Sequence, residues 1–227
     1  MFSKAMRSLD RHGAASLALM GLLFLLVLPF AIYAASFGFR AVRADISATT
    51  YLIARGAPVS NGAMAGHMLA GAAITALVPL QIARPVRERW PALHRWTGRL
   101  IATLAIAAGI GGLAFVLVRG TIGGMPMDAG FGLYGLLLLG TALATPVFAA
   151  RGEIARHRRW ALRLTVLILA SWSFRVQYGL WFLATGGIGS TDALTGPFDR
   201  VMVLAFYLPH LALLEVWLRR TPRRAPA

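Results

Sequence analysis

The chain has no cysteine, which excludes disulfides, thiolate metal sites, iron–sulfur clusters and a covalently attached c-type haem. Acidic residues are nearly as scarce. Eight occur in 227 residues: Asp10, Asp45, Glu88, Asp128, Glu153, Asp192, Asp199 and Glu215. None falls in the middle of an apolar run, which argues against a carboxylate proton relay, a carboxylate-bridged di-iron site and paired-carboxylate hydrolysis. A phosphate-cradling glycine loop, an HExxH pair and a nucleophile elbow are also missing. Charged residues of both signs make up only 14% of the chain, against about a quarter in a soluble domain.

What remains is apolar, at 58%. Six runs approach the roughly 20 residues that cross the hydrocarbon core, over about 14–36, 62–82, 98–118, 130–149, 161–184 and 199–218. The expected fold is all-α: one integral membrane domain over 1–227, with a four-helix core within 60–185 and peripheral helices at 14–36 and 199–218. The first run follows Lys4, Arg7 and Arg11 and exceeds the 7–15 residues of a signal h-region. It reads as a retained helix, although AIYAAS (31–36) also offers a cleavage site.

The formal charge of +15 is not spread over a soluble face, as nucleic-acid binding would need, but gathers at the ends of the runs. Seventeen Lys and Arg flank one side: Lys4, Arg7 and Arg11, five in 83–99, five in 151–163, and Arg219, Arg220, Arg223 and Arg224. The other side has five: Arg40, Arg43, Arg55, Arg119 and Arg200. The positive-inside rule then places both termini in the cytoplasm of a bacterial inner membrane. The expected partners are the bilayer and, at the basic face, anionic headgroups; nothing identifies a protein partner. The outer segment 37–61 reads as a short surface helix.

Arg175, in SWSFRVQYGLW (171–181), is the one basic residue inside a run. At the bilayer centre it costs about 2.5–3.5 kcal/mol on insertion scales. A weak internal repeat bears on what it faces. Pro79-Leu-Gln-Ile-Ala-Arg84 closes the second span and Pro146-Val-Phe-Ala-Ala-Arg151 the fourth; LHRWTGRL (93–100) and RHRRWALRL (156–164) begin the third and fifth. The second and third spans thus read as an older copy of the fourth and fifth. On that alignment His67 matches Tyr134, and Arg175 matches Gly111 in the small-residue stretch AAGIGG (107–112). Small residues let helices approach or leave room for a ligand. His67, Tyr134 and Arg175 are therefore expected around a polar pocket, with Gln177 and Tyr178 nearby. The alternative is an arginine that bonds backbone carbonyls or snorkels and only fixes packing.

His67 and His210 form the one histidine pair in the apolar core, with Gly71 on the His67 face offering room for a flat macrocycle. His94 and His157, equivalent in the repeat, fall in first turns among arginines beside Trp96 and Trp160. They suit an aromatic and basic headgroup belt or an anion site.

The segment HMLAGAAITALVPLQIARPVRERWPALHRWTGRL (67–100), with HRRWALRL (157–164) and Arg175, resembles a bacterial family of predicted membrane proteins of unknown function. The likeness covers about residues 60–185 and implies the architecture but no activity. A looser resemblance is to transmembrane b-type cytochromes and ferric-reductase-like bundles, which implies histidine-ligated haem. The departures are Tyr134, where a duplicated site would have histidine, and the lack of mid-span histidines in the third and fifth spans.

The leading expectation is a membrane redox protein holding one b-type haem or a quinone. His67 would be the first axial ligand to haem iron, His210 or the His94–His157 pair would supply the second, and Arg175 would hold a propionate or a quinone oxygen. A cofactor-free transporter or binding protein for a small anion, and a structural or accessory subunit, are the alternatives. Whether the protein is an enzyme is left open by these residues.

Overall fold

The structure is a computed structural model that describes residues 11–221, with side chains from residue 13 on. Lys4, Arg7, Arg223, Arg224 and the Arg11 side chain, which entered the topology count, lie outside the described residues. The helices are α1 (Arg11–Arg43), α2 (Pro58–Ile82), α3 (Arg84–Arg89), α4 (Pro91–Arg119), α5 (Gly124–Ala150), α6 (Ile154–Thr185), α7 (Pro197–Ala205) and α8 (Leu208–Arg220). Six segments among the described residues are long and apolar enough to cross a membrane, α7 and α8 together making the last. Lipid-facing side chains such as Leu183 and Leu117 are 86% and 83% exposed. That exposure suits hydrocarbon and not water.

Proline and glycine set the boundaries. Pro58, Pro91 and Pro197 open α2, α4 and α7 at the first helical position, where a missing N–H costs nothing. Gly186 ends α6 at φ 67° and its N–H bonds the Phe182 carbonyl, a left-handed stop that glycine takes without strain. Pro29, Pro79 and Pro146 lie inside α1, α2 and α5 without ending them, as bundles tolerate when neighbours re-satisfy the freed carbonyls.

The last span differs from the expected single helix. Pro209 lacks the N–H that would bond the Ala205 carbonyl and disfavours helix at the residue before it, so α7 stops at Ala205. Phe206 and Tyr207 form the turn, 1% and 0% exposed, and the Tyr207 hydroxyl donates to the Gly130 carbonyl at 3.1 Å. Irregular backbone at membrane depth is viable only when protein covers it, and here α5 does.

α2, α4, α5 and α6 pack in a cycle, each against the next and α6 back on α2. Alanines 70, 105, 108, 142 and 170 in the shared core allow this closeness. α1 lies along α2, α7 on α5, and α8 on α6. The segment after α1 is not the expected surface helix. α1 runs on to Arg43, and residues 44–57 form turns pinned by the Asp45–Arg55 ion pair at 3.1 Å and by the Arg119 guanidinium donating to the Tyr51 carbonyl at 2.7 Å.

At the basic end, Arg163 binds the Glu215 carboxylate through Nε at 2.6 Å and Nη2 at 3.0 Å, and Arg159 donates to the Leu218 carbonyl at 2.9 Å. These contacts hold α8 against α6. Glu215→Gln keeps the shape but loses the charge-assisted fork, worth about 1 kcal/mol at this partial exposure. The expected result is that limited proteolysis cuts near α8 earlier than in the wild type, while cleavage elsewhere keeps its rate.

Candidate functional site

Gly111 and Gly112 bring α2 against α4. A Cβ at Gly111 would lie 2.7 Å from the Ala63 carbonyl oxygen, and one at Gly112 would lie 3.0 Å from His67 Nδ1. With no side chain in the way, the His67 ring reaches the α4 backbone, and its Nδ1 donates to the Ala108 carbonyl at 2.7 Å. That bond places the proton on Nδ1 and leaves Nε2 as an acceptor in the neutral ring.

Tyr134, from α5, is buried and donates to the Leu167 carbonyl of α6 at 2.8 Å. His67 and Tyr134 line one cavity of about 30 Å³, together with Thr75, Ser171, and Phe30 and Ala34 of α1. A water needs roughly 10–15 Å³ by this measure, so the space holds about two waters and no macrocycle. Gly71 lines it too, and a Cβ there would meet nothing within 4 Å. His67 and Tyr134 thus line one cavity, with Gly71 and Ala108 in its wall and not Gly111.

Arg175 stands elsewhere than expected. It is not a wall of this cavity but lies at its α1 side, its guanidinium 4.7 Å from the centre of the Phe30 ring. Nη1 donates to the Ser171 carbonyl at 2.9 Å and to Ser171 Oγ at 3.3 Å. These are its hydrogen bonds among the described residues, and it has no carboxylate partner there. Five guanidinium N–H groups exist, so three lack a protein acceptor. The residue is twelve positions past Arg163 and ten before Thr185, about 18 Å and 15 Å along the helix at 1.5 Å per residue. In a hydrocarbon core of about 30 Å that is near the midplane. His67, Tyr134 and Tyr33 lie within its electrostatic reach.

Gln177 and Tyr178 do not join this group. The Gln177 amide bonds Ser173 Oγ at 2.7 Å, and the Tyr178 hydroxyl donates to Asp199 Oδ1 at 2.8 Å. Asp199, fully buried, also accepts from Ser190 Oγ at 2.7 Å, the Thr191 N–H at 3.0 Å and the Gly196 N–H at 2.9 Å. Sequence reasoning put this carboxylate at the edge of the sixth span and gave it no role. Its position three residues after Gly196 at the opening of α7 is the capping-box spacing, and that spacing was the available sign.

The paired histidines fare differently. His210 is exposed on α8, which packs on α6 and α7 and gives no residue to the His67 cavity. His67 and His210 do not line a common cavity, and the space beside His67 is too small for a haem. His94 and His157 do approach within electrostatic reach of each other, each in the first turn of its helix. His157 Nδ1 bonds the Thr145 carbonyl at 2.9 Å, while His94 Nδ1 is buried without a partner. Sequence reasoning missed Gln81 beside them, whose amide donates to the His94 carbonyl at 3.2 Å and to Thr97 Oγ1. Its polarity at the end of an apolar helix was the clue. Among the described residues no three His, Asp or Glu side chains gather as a metal site.

The fold and the site define an all-α, multi-pass membrane protein with a small cavity in its helix core, mostly apolar and edged by His67, Thr75, Tyr134 and Ser171. Residues 64–218 match the family described as "Predicted membrane protein (DUF2306)", and the chain belongs to that family. No curated protein and no solved structure matches it.

Proposed function

We propose that the protein is an anion-binding protein of the bacterial inner membrane, with both termini in the cytoplasm and Arg175 as the anchor of the anion. The observation that carries this reading is the guanidinium near the midplane with three N–H groups lacking protein acceptors. A cation at membrane depth normally has a partner, and a carboxylate or another oxyanion meets those donors in a planar fork. The distance to either helix end argues against relief by snorkelling. His67 and the cavity behind Phe30 supply further polar groups for bound water or a second oxygen. Seventeen basic residues against five support the orientation. The belt of arginines over tryptophans, Arg99 on Trp96 at 5.2 Å and Arg163 on Trp160 at 4.9 Å, suits anionic headgroups at the cytoplasmic face.

Thermal unfolding of the purified full chain in detergent tests the reading. Octanoate is expected to stabilise the wild type and octanol not to, by about 2.7 kcal/mol at a hundred times the dissociation constant. Arg175→Gln is expected to abolish the difference. Equal stabilisation by acid and alcohol, or an unchanged response in Arg175→Gln, would overturn the proposal.

A second reading, a quinone site in a membrane redox protein, is favoured by His67, which lines the cavity and keeps Nε2 as an acceptor while Nδ1 bonds Ala108. A short-tailed ubiquinone would then stabilise the wild type and not His67→Ala. A sharp haem band in a reduced-minus-oxidised spectrum, lost in His67→Ala, would instead restore the b-type cytochrome reading with a partner other than His210.

A further inference from the structure

The side of the cavity nearest Arg175 is closed by two helices, α1 and α6, that pack only sparsely on each other. α1 lies along α2, and α6 along α5 and α2, whereas α1 and α6 approach each other far less closely. Side chains bridge them. Trp172 Nε1 donates to the Leu26 carbonyl at 3.1 Å, and Arg175 covers Phe30. The Leu26 carbonyl lies in the turn preceding Pro29. Phe30 belongs to both the seam and the cavity wall. Outside the seam stand Leu26 and Tyr33, each about half exposed, with Arg175 exposed between the helices. Behind it, α2, α4, α5 and α6 pack in the cycle described above.

We infer that the seam between α1 and α6 is a lateral port, and that its occupant is a long-chain carboxylate from the membrane, with its head on Arg175 and its alkyl chain between the helices in lipid. This rests on the reading of Arg175 as an anion anchor and names the substrate class and its route. The charge selects a carboxylate head: the three free N–H donors match its two oxygens. The position selects the chain, because the guanidinium is exposed on the hydrocarbon side of the seam and an alkyl chain can lie there in lipid. Entry parts the Trp172–Leu26 hydrogen bond and the Arg175–Phe30 cation–π contact and leaves the closely packed α1–α2 and α5–α6 interfaces intact. Phe30 is the plug between the bound head and the His67 cavity.

The test uses the full chain in lipid nanodiscs and palmitate with a diazirine on its chain. After illumination, mass spectrometry is expected to find adducts concentrated on residues 22–33 of α1 and 172–180 of α6. Excess oleate should reduce them at least tenfold, and so should Arg175→Gln. Trp172→Phe, which keeps the ring but loses the bond to Leu26, should raise the labelling rate several-fold. Adducts spread evenly over all lipid-facing helices would overturn the port, as would competition by butyrate equal to that by oleate. If octanoate still stabilises the protein through Arg175 while the adducts are spread, the anion site stands and the lateral route falls. If neither response depends on Arg175, both fall.

Discussion

Asp199→Ala is expected to be the most destabilising single substitution on the α7 side of the bundle. The carboxylate gathers two hydroxyls and two backbone N–H groups at 2.7–3.0 Å in a site with no solvent exposure. Alanine leaves the Thr191 and Gly196 N–H groups without an acceptor, at about 1–3 kcal/mol each, while Tyr178 and Ser190 can turn their hydroxyls. A loss of about 3 kcal/mol follows, and hydrogen exchange should rise first at Thr191 and Gly196. Asp199→Asn retains one accepting oxygen and turns an NH₂ toward two of the donors, so it should fall between alanine and wild type. If exchange at these two amides stayed unchanged in Asp199→Ala, the carboxylate would not be what holds segment 186–196.

Gly111→Ala is the second large effect, and it reaches the candidate site. Its Cβ would stand 2.7 Å from the backbone oxygen of Ala63 and 3.3 Å from His67 Cβ. Backbone cannot step aside as a flexible side chain does, so α2 and α4 must separate. Overpacking of this kind costs about 1–3 kcal/mol. The separation also stretches the 2.7 Å bond from His67 to Ala108, so any stabilisation by octanoate should weaken together with the melting temperature. Gly62→Ala and Gly66→Ala provide the control on the facing helix. A Cβ at either position meets nothing within 4 Å, and replacing glycine in a helix interior is neutral or stabilising by about 0.5–1 kcal/mol. Equal damage from Gly62 and Gly111 would remove the close approach as the cause.

The architecture was legible because a membrane span writes itself as length and apolarity, and each of the six runs corresponds to a spanning segment. Ends were less legible. α4 and α6 begin seven residues before the expected spans, because Arg and His near a basic interface look like loop in a hydropathy pattern yet continue a helix once Pro91 or Glu153 has started it. The break at Phe206–Tyr207 was written in Pro209 but masked by the apolar residues around it. For the site, the repeat register placed His67 beside the glycines of α4 and on one cavity with Tyr134. It failed for Arg175, Gln177 and Tyr178. Depth along a helix can be read by counting, but the direction of a long side chain depends on which neighbour it meets, here Phe30 on a helix outside the repeat. His210 failed for the same reason: equal depth on α8 does not mean the same face.

The divided last span also bears on how the chain is assembled. Nine residues of α7 and thirteen of α8 are about 14 Å and 20 Å long, and neither alone crosses about 30 Å of hydrocarbon. An α8 without its companion would rest at one leaflet, so residues 197–220 must enter the bilayer as a unit. The turn between them becomes tolerable only when the Gly130 face of α5 is already in place to cover it. Helix five is therefore a prerequisite for the stable insertion of the end of the chain. A truncation after Arg220 should still integrate in an order-of-synthesis assay, whereas a chain with α5 replaced by an unrelated apolar helix should leave its last segment untethered and open to protease.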